Sequence, residues 1–212
     1  MSYRLSLNQQ KEENYMKSFG KFGMILAKIM EIFFWIGAVS MIVLFILCLA
    51  KPEALEYIEQ NGVEGMEGGF TSISTLGLSV SSIPANGIVT ILLWYPPFAA
   101  VLLGLMAMIF RNLYLILKKL HADKKESFSE ENSPFQPDIV RMIREIGIFA
   151  LSIPLVELAA NEILFLVFRM NNLEVELGGF NLSMLAFGMV VLYLSSIFSY
   201  GARLQKETEG LV

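Results

Sequence analysis

Apolar residues gather along this chain into four long blocks set apart by polar stretches. The blocks lie at 29–50, 88–120, 146–168 and 182–200, each close to or above the roughly 20 residues that a helix needs to cross a bilayer. The pattern predicts an all-α membrane protein, a four-helix transmembrane bundle that uses most of the chain. Residues 1–212 then form a single membrane domain. Its polar parts are an arm at 1–24, a middle loop at 121–145, and loops at 51–87 and 169–181 on the opposite side.

The polar stretches carry patterns of their own. The mixed Gln, Glu, Asn and Lys of the arm suit a short interfacial helix, with Phe19 and Phe22 near the headgroups. In the first outer loop Pro52 opens a short helix that Asn61-Gly62 ends. Leu76, Leu78 and Val80 then alternate with small residues, which is the period of a strand. Pro84 to Gly87 reads as a turn, and Leu173 to Leu177 alternates again. These features predict a small extracytoplasmic β-rich cap over the bundle, a hairpin plus one strand.

The second span has three readings. Helix 88–110 would contain Pro96-Pro97, which breaks or kinks a helix. The helix can instead begin at Pro96, with Trp94 and Tyr95 at the outer interface and 88–95 as a strand. In the third reading one long kinked helix runs through 88–120, and a long helix projecting into the cytoplasm is the favoured expectation. In the middle loop Ser129 suits the cap of a turn holding Glu130 and Glu131, and Pro137-Asp138 opens the third helix. In the fourth span Gly188, Leu192, Ser195 and Ser199 share one stripe, where small residues let helices approach closely in lipid.

Charge changes the picture by giving the spans a direction. Of the 16 Lys and Arg, fourteen fall in the arm and its entry to span one, the middle loop and its flanks, or the tail after span four. Lys51 and Arg169 alone fall on the other side. The positive-inside rule therefore places both termini and the middle loop in the cytoplasm of a multi-pass protein of the cell membrane. The arm is polar and of mixed charge, and the apolar run after it is too long for a signal peptide, so span one is expected to stay. Hydrophobic residues make up 55% of the chain, above the usual range for a soluble domain. Cys48, the single cysteine, excludes an intramolecular disulfide and reads as a small apolar residue.

Candidate chemistry concentrates in the third span. Glu157 sits at its centre, with Asn161 four residues on, along the same helix face. Glu162 follows, seven residues before Arg169. A central charge costs roughly 2.5–3.5 kcal/mol on insertion scales. Glu157, Asn161 and Glu162 are therefore the candidate intramembrane polar site, read either as interhelical hydrogen-bonding groups or as a proton- or cation-responsive site. Lys28 and Glu31 are one turn apart at the inner mouth of span one and are expected to pair or snorkel. One His and one Cys cannot build a metal cluster, His121 stands alone in the middle loop, and no glycine-rich phosphate loop precedes a helix. The expectation is no enzyme, no cofactor and no metal. The lipid bilayer is the expected partner, together with a protein partner at the cytoplasmic loop or outer cap, and nucleic acid is not. Two functional classes stand: a regulatory, sensing or interaction protein of the inner membrane, and a small proton- or cation-coupled transporter or ion-conducting oligomer using Glu157.

Certain local motifs have a familiar arrangement. Phe128-Ser-Glu-Glu-Asn132 lies in the middle loop, Ile139-Val-Arg-Met-Ile-Arg-Glu-Ile-Gly147 opens the third helix, Val156-Glu-Leu158 lies within it, and Gly201-Ala-Arg-Leu-Gln-Lys-Glu207 ends the fourth. The chain resembles, over nearly its whole length, the bacterial integral membrane family named domain of unknown function 2975. In that family the Phe-Ser/Thr-Glu-Glu-Asn motif runs straight into the basic helix, whereas residues 133–137 intervene here. The resemblance implies location and topology and assigns no activity. Some members are encoded beside small helix-turn-helix regulators, which implies a regulatory or stress setting.

Overall fold

A computed structural model describes residues 2–51, 72–84, 87–122, 136–178 and 181–209, together with positions 53, 55 and 57. The expected turn at Phe128–Asn132, the Ser129 cap and the Asn61-Gly62 helix end lie outside the described residues. Glu53, Leu55 and Tyr57 are helical, as expected after Pro52.

Helix α1, Ser2–Ala50, merges the arm and the first span into one element. At 1.5 Å per residue its 49 residues extend about 73 Å. Nothing in the sequence stops it before Pro52, since Gly20 and Gly23 weaken a helix by only about 1 kcal/mol each. The end comes at Lys51, whose N–H still reaches Leu47 O at 3.1 Å and which precedes a proline. Helix α2, Ile88–Ala122, is a long helix as favoured for the second span, and its start, which the sequence leaves open, falls at Ile88. It contains Pro96 and Pro97 in its first third, where each removes one backbone donor. The strand reading of 88–95 is thereby corrected. Trp94 is exposed as expected of an interfacial aromatic, but Tyr95 is fully buried.

Helix α3, Pro137–Met170, starts on Pro137 with Asp138 in its first turn. Its end is a Schellman motif. Asn172 has φ 54°, its N–H bonds Arg169 O at 3.2 Å, and the N–H of Leu173 bonds Phe168 O at 2.9 Å. Asparagine tolerates the left-handed position better than most residues, and the buried pair Phe168 and Leu173 makes the accompanying apolar contact. Helix α4, Leu182–Glu209, is capped by Asn181, whose Oδ1 accepts the Met184 N–H at 3.1 Å.

A three-stranded antiparallel sheet lies between these helices in sequence and in space. Strands β1 (Ser72–Thr75), β2 (Leu78–Ser81) and β3 (Glu176–Leu177) pair in the order β1-β2-β3. Thr75 faces Leu78, so the hairpin loop is two residues, Leu76 and Gly77. Both have positive φ, 58° and 133°, as a turn matching strand twist requires. Val80 faces Leu177. Leu78 and Val80 are fully buried, so the alternation marks a strand with one face inward at these two positions. Leu76 lies in the turn instead, and only Glu176–Leu177 of the second run is strand. A hairpin plus one strand forms, as expected.

Helix packing is serial. Helix α1 packs on α2, α2 on α3, and α3 on α4, while β1 touches α2 and β2 touches α3. The α3–α4 seam is close because glycines line it: a Cβ on Gly188 would lie 2.9 Å from the Leu151 N, and one on Gly147 3.1 Å from the Leu192 N. The Ser195 hydroxyl donates to Val140 O at 3.3 Å. The small-residue stripe of α4 is thus its packing face. Four helices are long and apolar enough to cross a membrane: Gly20–Ala50, Ile88–Leu120, Pro137–Met170 and Leu182–Glu207. Large apolar side chains such as Phe33, Ile36, Leu155 and Met189 are exposed on them, as lipid-facing positions would be.

Candidate functional site

The α3–α4 contacts fix where α4 begins. Leu192 meets Gly147 and Leu151 meets Gly188, so antiparallel continuation brings the start of α4 level with Glu157. Helix α3 then continues thirteen residues, about 20 Å, to Met170 without α4 beside it. The sheet fills that space. Leu78 and Val80 join Ala160, Leu164 and Phe168 in one buried cluster. The β1–β2 turn therefore reaches down to the middle of α3.

Glu157 lies at the foot of this wedge and is fully buried. The turn sits directly on its carboxyl: a Cβ on Gly77 would stand 2.8 Å from the Glu157 Cδ and collide with Oε1. Gly77 is thus required twice, by its φ and by the close approach. The Asn161 Nδ2 donates to Gly178 O at 2.9 Å. The Asn181 Nδ2 donates to Leu76 O at 3.2 Å and holds the strained turn residue. The Gly178 N–H bonds Ser79 O at 2.6 Å. Tyr95, from α2, donates its hydroxyl to Leu78 O at 3.2 Å. The cage is therefore assembled from α2, α3, the hairpin turn and the loop entering α4.

Its electrostatics are one-sided. Asn181 presents both its backbone N–H and its side-chain amide toward the Glu157 carboxyl. Even so, neither carboxyl oxygen closes a hydrogen bond of good geometry, and the Asn161 Oδ1 is unpaired as well. Among the described residues the ion pairs of this chain lie elsewhere, on Glu31, Asp138 and Glu145. Three orphan acceptor oxygens in one buried place each cost about 1–3 kcal/mol. Such a place can accept a donor or a cation.

Of the sequence-derived candidates, Glu157 and Asn161 come together. Glu162 does not, because it is exposed on another face of α3, as is Arg169. The remaining cage members, Leu76, Gly77, Gly178 and Asn181, were absent from the candidate set. Only one of their signals was present in the sequence: Asn before an apolar block is a helix cap, whereas Leu-Gly is not a residue pair that marks a two-residue hairpin.

A second polar belt lies toward the opposite end. Lys28 pairs with Glu31 at 3.0 Å, as expected, and its ammonium lies 5.1 Å from the centre of the Tyr114 ring. Asn112 donates to Glu145 at 3.0 Å across α2 and α3, Arg141 pairs with Glu145 at 3.3 Å, and Lys119 with Asp138 at 2.6 Å. These contacts tie the helix ends where the basic residues concentrate. No family model, no curated protein and no solved structure matches this chain.

Proposed function

We propose that this chain is a multi-pass cell-membrane protein of regulatory, sensing or interaction type, in which the Glu157 cage couples the sheet to the helices. The observation that carries the reading is the hairpin turn seated on a buried carboxyl whose oxygens, though Asn181 faces them, close no hydrogen bond of good geometry. A turn held against an unsatisfied group responds to whatever satisfies that group. A proton on Glu157 turns one of its acceptor oxygens into a donor. The ionised carboxylate adds charge with nothing to balance it. The turn, β2 and the loop before α4 are thereby biased together by the occupancy of one site.

The basic asymmetry supports both termini and the 121–145 loop facing the cytoplasm, with the sheet on the external side. The motif resemblance to the domain of unknown function 2975 family supports the same location. A non-enzymatic role rests on the side-chain inventory, with one His and one Cys. A second reading, a proton- or cation-coupled transporter or ion-conducting oligomer, is favoured by the convergence of three acceptor oxygens, a set that suits a small cation.

Amide exchange across pH 5–9, corrected for intrinsic rates, tests the sensing reading in the membrane-reconstituted protein. Protection over 72–81 is expected to be higher at the acid end in the wild type and flat in Glu157→Gln. The same pH dependence in both proteins would overturn it. Flux of protons or sodium through vesicles that is lost in Glu157→Gln would select the second reading instead.

A further inference from the structure

We infer that the basic crevice between the ends of α3 and α4 far from the sheet is a binding site for the phosphate headgroup of an anionic phospholipid. The crevice encloses about 330 Å³ and is lined by Arg141 and Arg144 from α3 and by Ser199, Ala202, Arg203 and Lys206 from α4. That volume is within the range of small-ligand sites. No acidic side chain lines it. Arg141 is shared with Glu145, whereas Arg144, Arg203 and Lys206 take part in no ion pair among the described residues. Three uncommitted cations and a hydroxyl thus converge from two helices on one space. Exposed arginines of like charge repel one another, and an anion between them removes the repulsion. The planar guanidinium fork matches phosphate oxygens in pairs.

The position selects a lipid over a soluble phosphate. The Arg141 and Arg144 face continues up α3 to Ile148, and the Arg203 face continues up α4 to Tyr200 and Tyr193, all three exposed. A headgroup in the crevice would therefore lay its acyl chains along apolar surface that the protein leaves uncovered. Basic pockets between membrane helices on the cytoplasmic side recognise headgroups in this manner. The site shares no residue with the Glu157 cage.

The test uses the full chain in nanodiscs of phosphatidylcholine doped with phosphatidylglycerol, with bound lipid measured by native mass spectrometry. Wild type is expected to retain phosphatidylglycerol in preference to phosphatidylcholine. Arg144→Gln with Arg203→Gln should weaken that preference by roughly tenfold or more, from the known worth of a basic residue near an anionic surface. Ala202→Phe, which fills the crevice and leaves every charge in place, should do the same. Lys118→Gln, on the exposed side of α2, should change it little. Retention unchanged by both crevice variants would overturn the proposal. So would an equal loss in Lys118→Gln, which would mean charge without a site. Inorganic phosphate that displaces the lipid at millimolar concentration would assign the crevice to a soluble anion and overturn it too.

Discussion

Glu157 owes its importance to what surrounds it. A carboxyl at the centre of an apolar run is visible in any reading of the chain, but its consequences depend on donors. Here the Asn161 amide is spent on Gly178 O while that of Asn181 is shared with Leu76 O, so neither carboxyl oxygen closes a hydrogen bond of good geometry. Substitution separates charge from shape. Glu157→Gln keeps the volume and brings an NH2 group that can donate to the orphan Asn161 Oδ1. Its stability in detergent is expected within about 1 kcal/mol of wild type, or above it. Glu157→Leu removes the orphan oxygens at similar volume but leaves Asn161 unpaired, so it should lie below Gln. A thermal or steric-trapping measurement that placed Gln several kcal/mol below Leu would show that the carboxylate has a partner. Asn161 was legible as a companion because four residues is one helical turn. Gly77 was not, because its role is set by a contact between residues eighty positions apart.

At the scale of elements, the polar and apolar pattern carries most of the architecture. The four blocks and the strands at 78–80 and 176–177 follow from period and length, but the hairpin turn does not, because it falls at Leu76-Gly77 inside the alternating run. What the pattern does not carry is registry. Nothing local says that α4 starts beside the middle of α3, and that offset opens the space the sheet occupies. The offset is set by glycines: Gly147 and Gly188 allow the helices to approach until Leu192 and Leu151 seat over them. Proline left the start of α2 open. Pro96-Pro97 allowed a helix start or a kinked helix through them, and α2 runs through them, because the sheet and α3 hold its first third in place by packing. Gly188→Val is expected to force α3 and α4 apart at a cost of about 1–3 kcal/mol. The readout is steric trapping, supported by loss of cross-linking between cysteines placed at 144 and 195. An unchanged cross-linking yield would mean that the seam is not built on that glycine.

The whole molecule is a row of helices with a β wedge set into the step where the row is one half-helix short. The distribution of Lys and Arg, fourteen against two, predicts the orientation of the spans. Reporter fusions at residue 125 and at the C-terminus are expected to read cytoplasmic, and one within 60–68 external. An external C-terminus would overturn both the orientation and the count of crossings. If the wedge is external, its tip links the outer surface to the middle of a span, and the Glu157–Gly77 contact is where sheet and helices meet. A double-mutant cycle on that contact tests the account most directly. Gly77→Ala introduces a Cβ that collides with the Glu157 carboxyl and also strains a backbone at φ 133°. Alone it should cost about 2 kcal/mol or more. In a Glu157→Ala background only the backbone strain remains, about 1 kcal/mol. The account predicts a coupling free energy of at least about 1 kcal/mol between the two positions. Costs that add to within about 0.5 kcal/mol, as they do for independent sites, would contradict it.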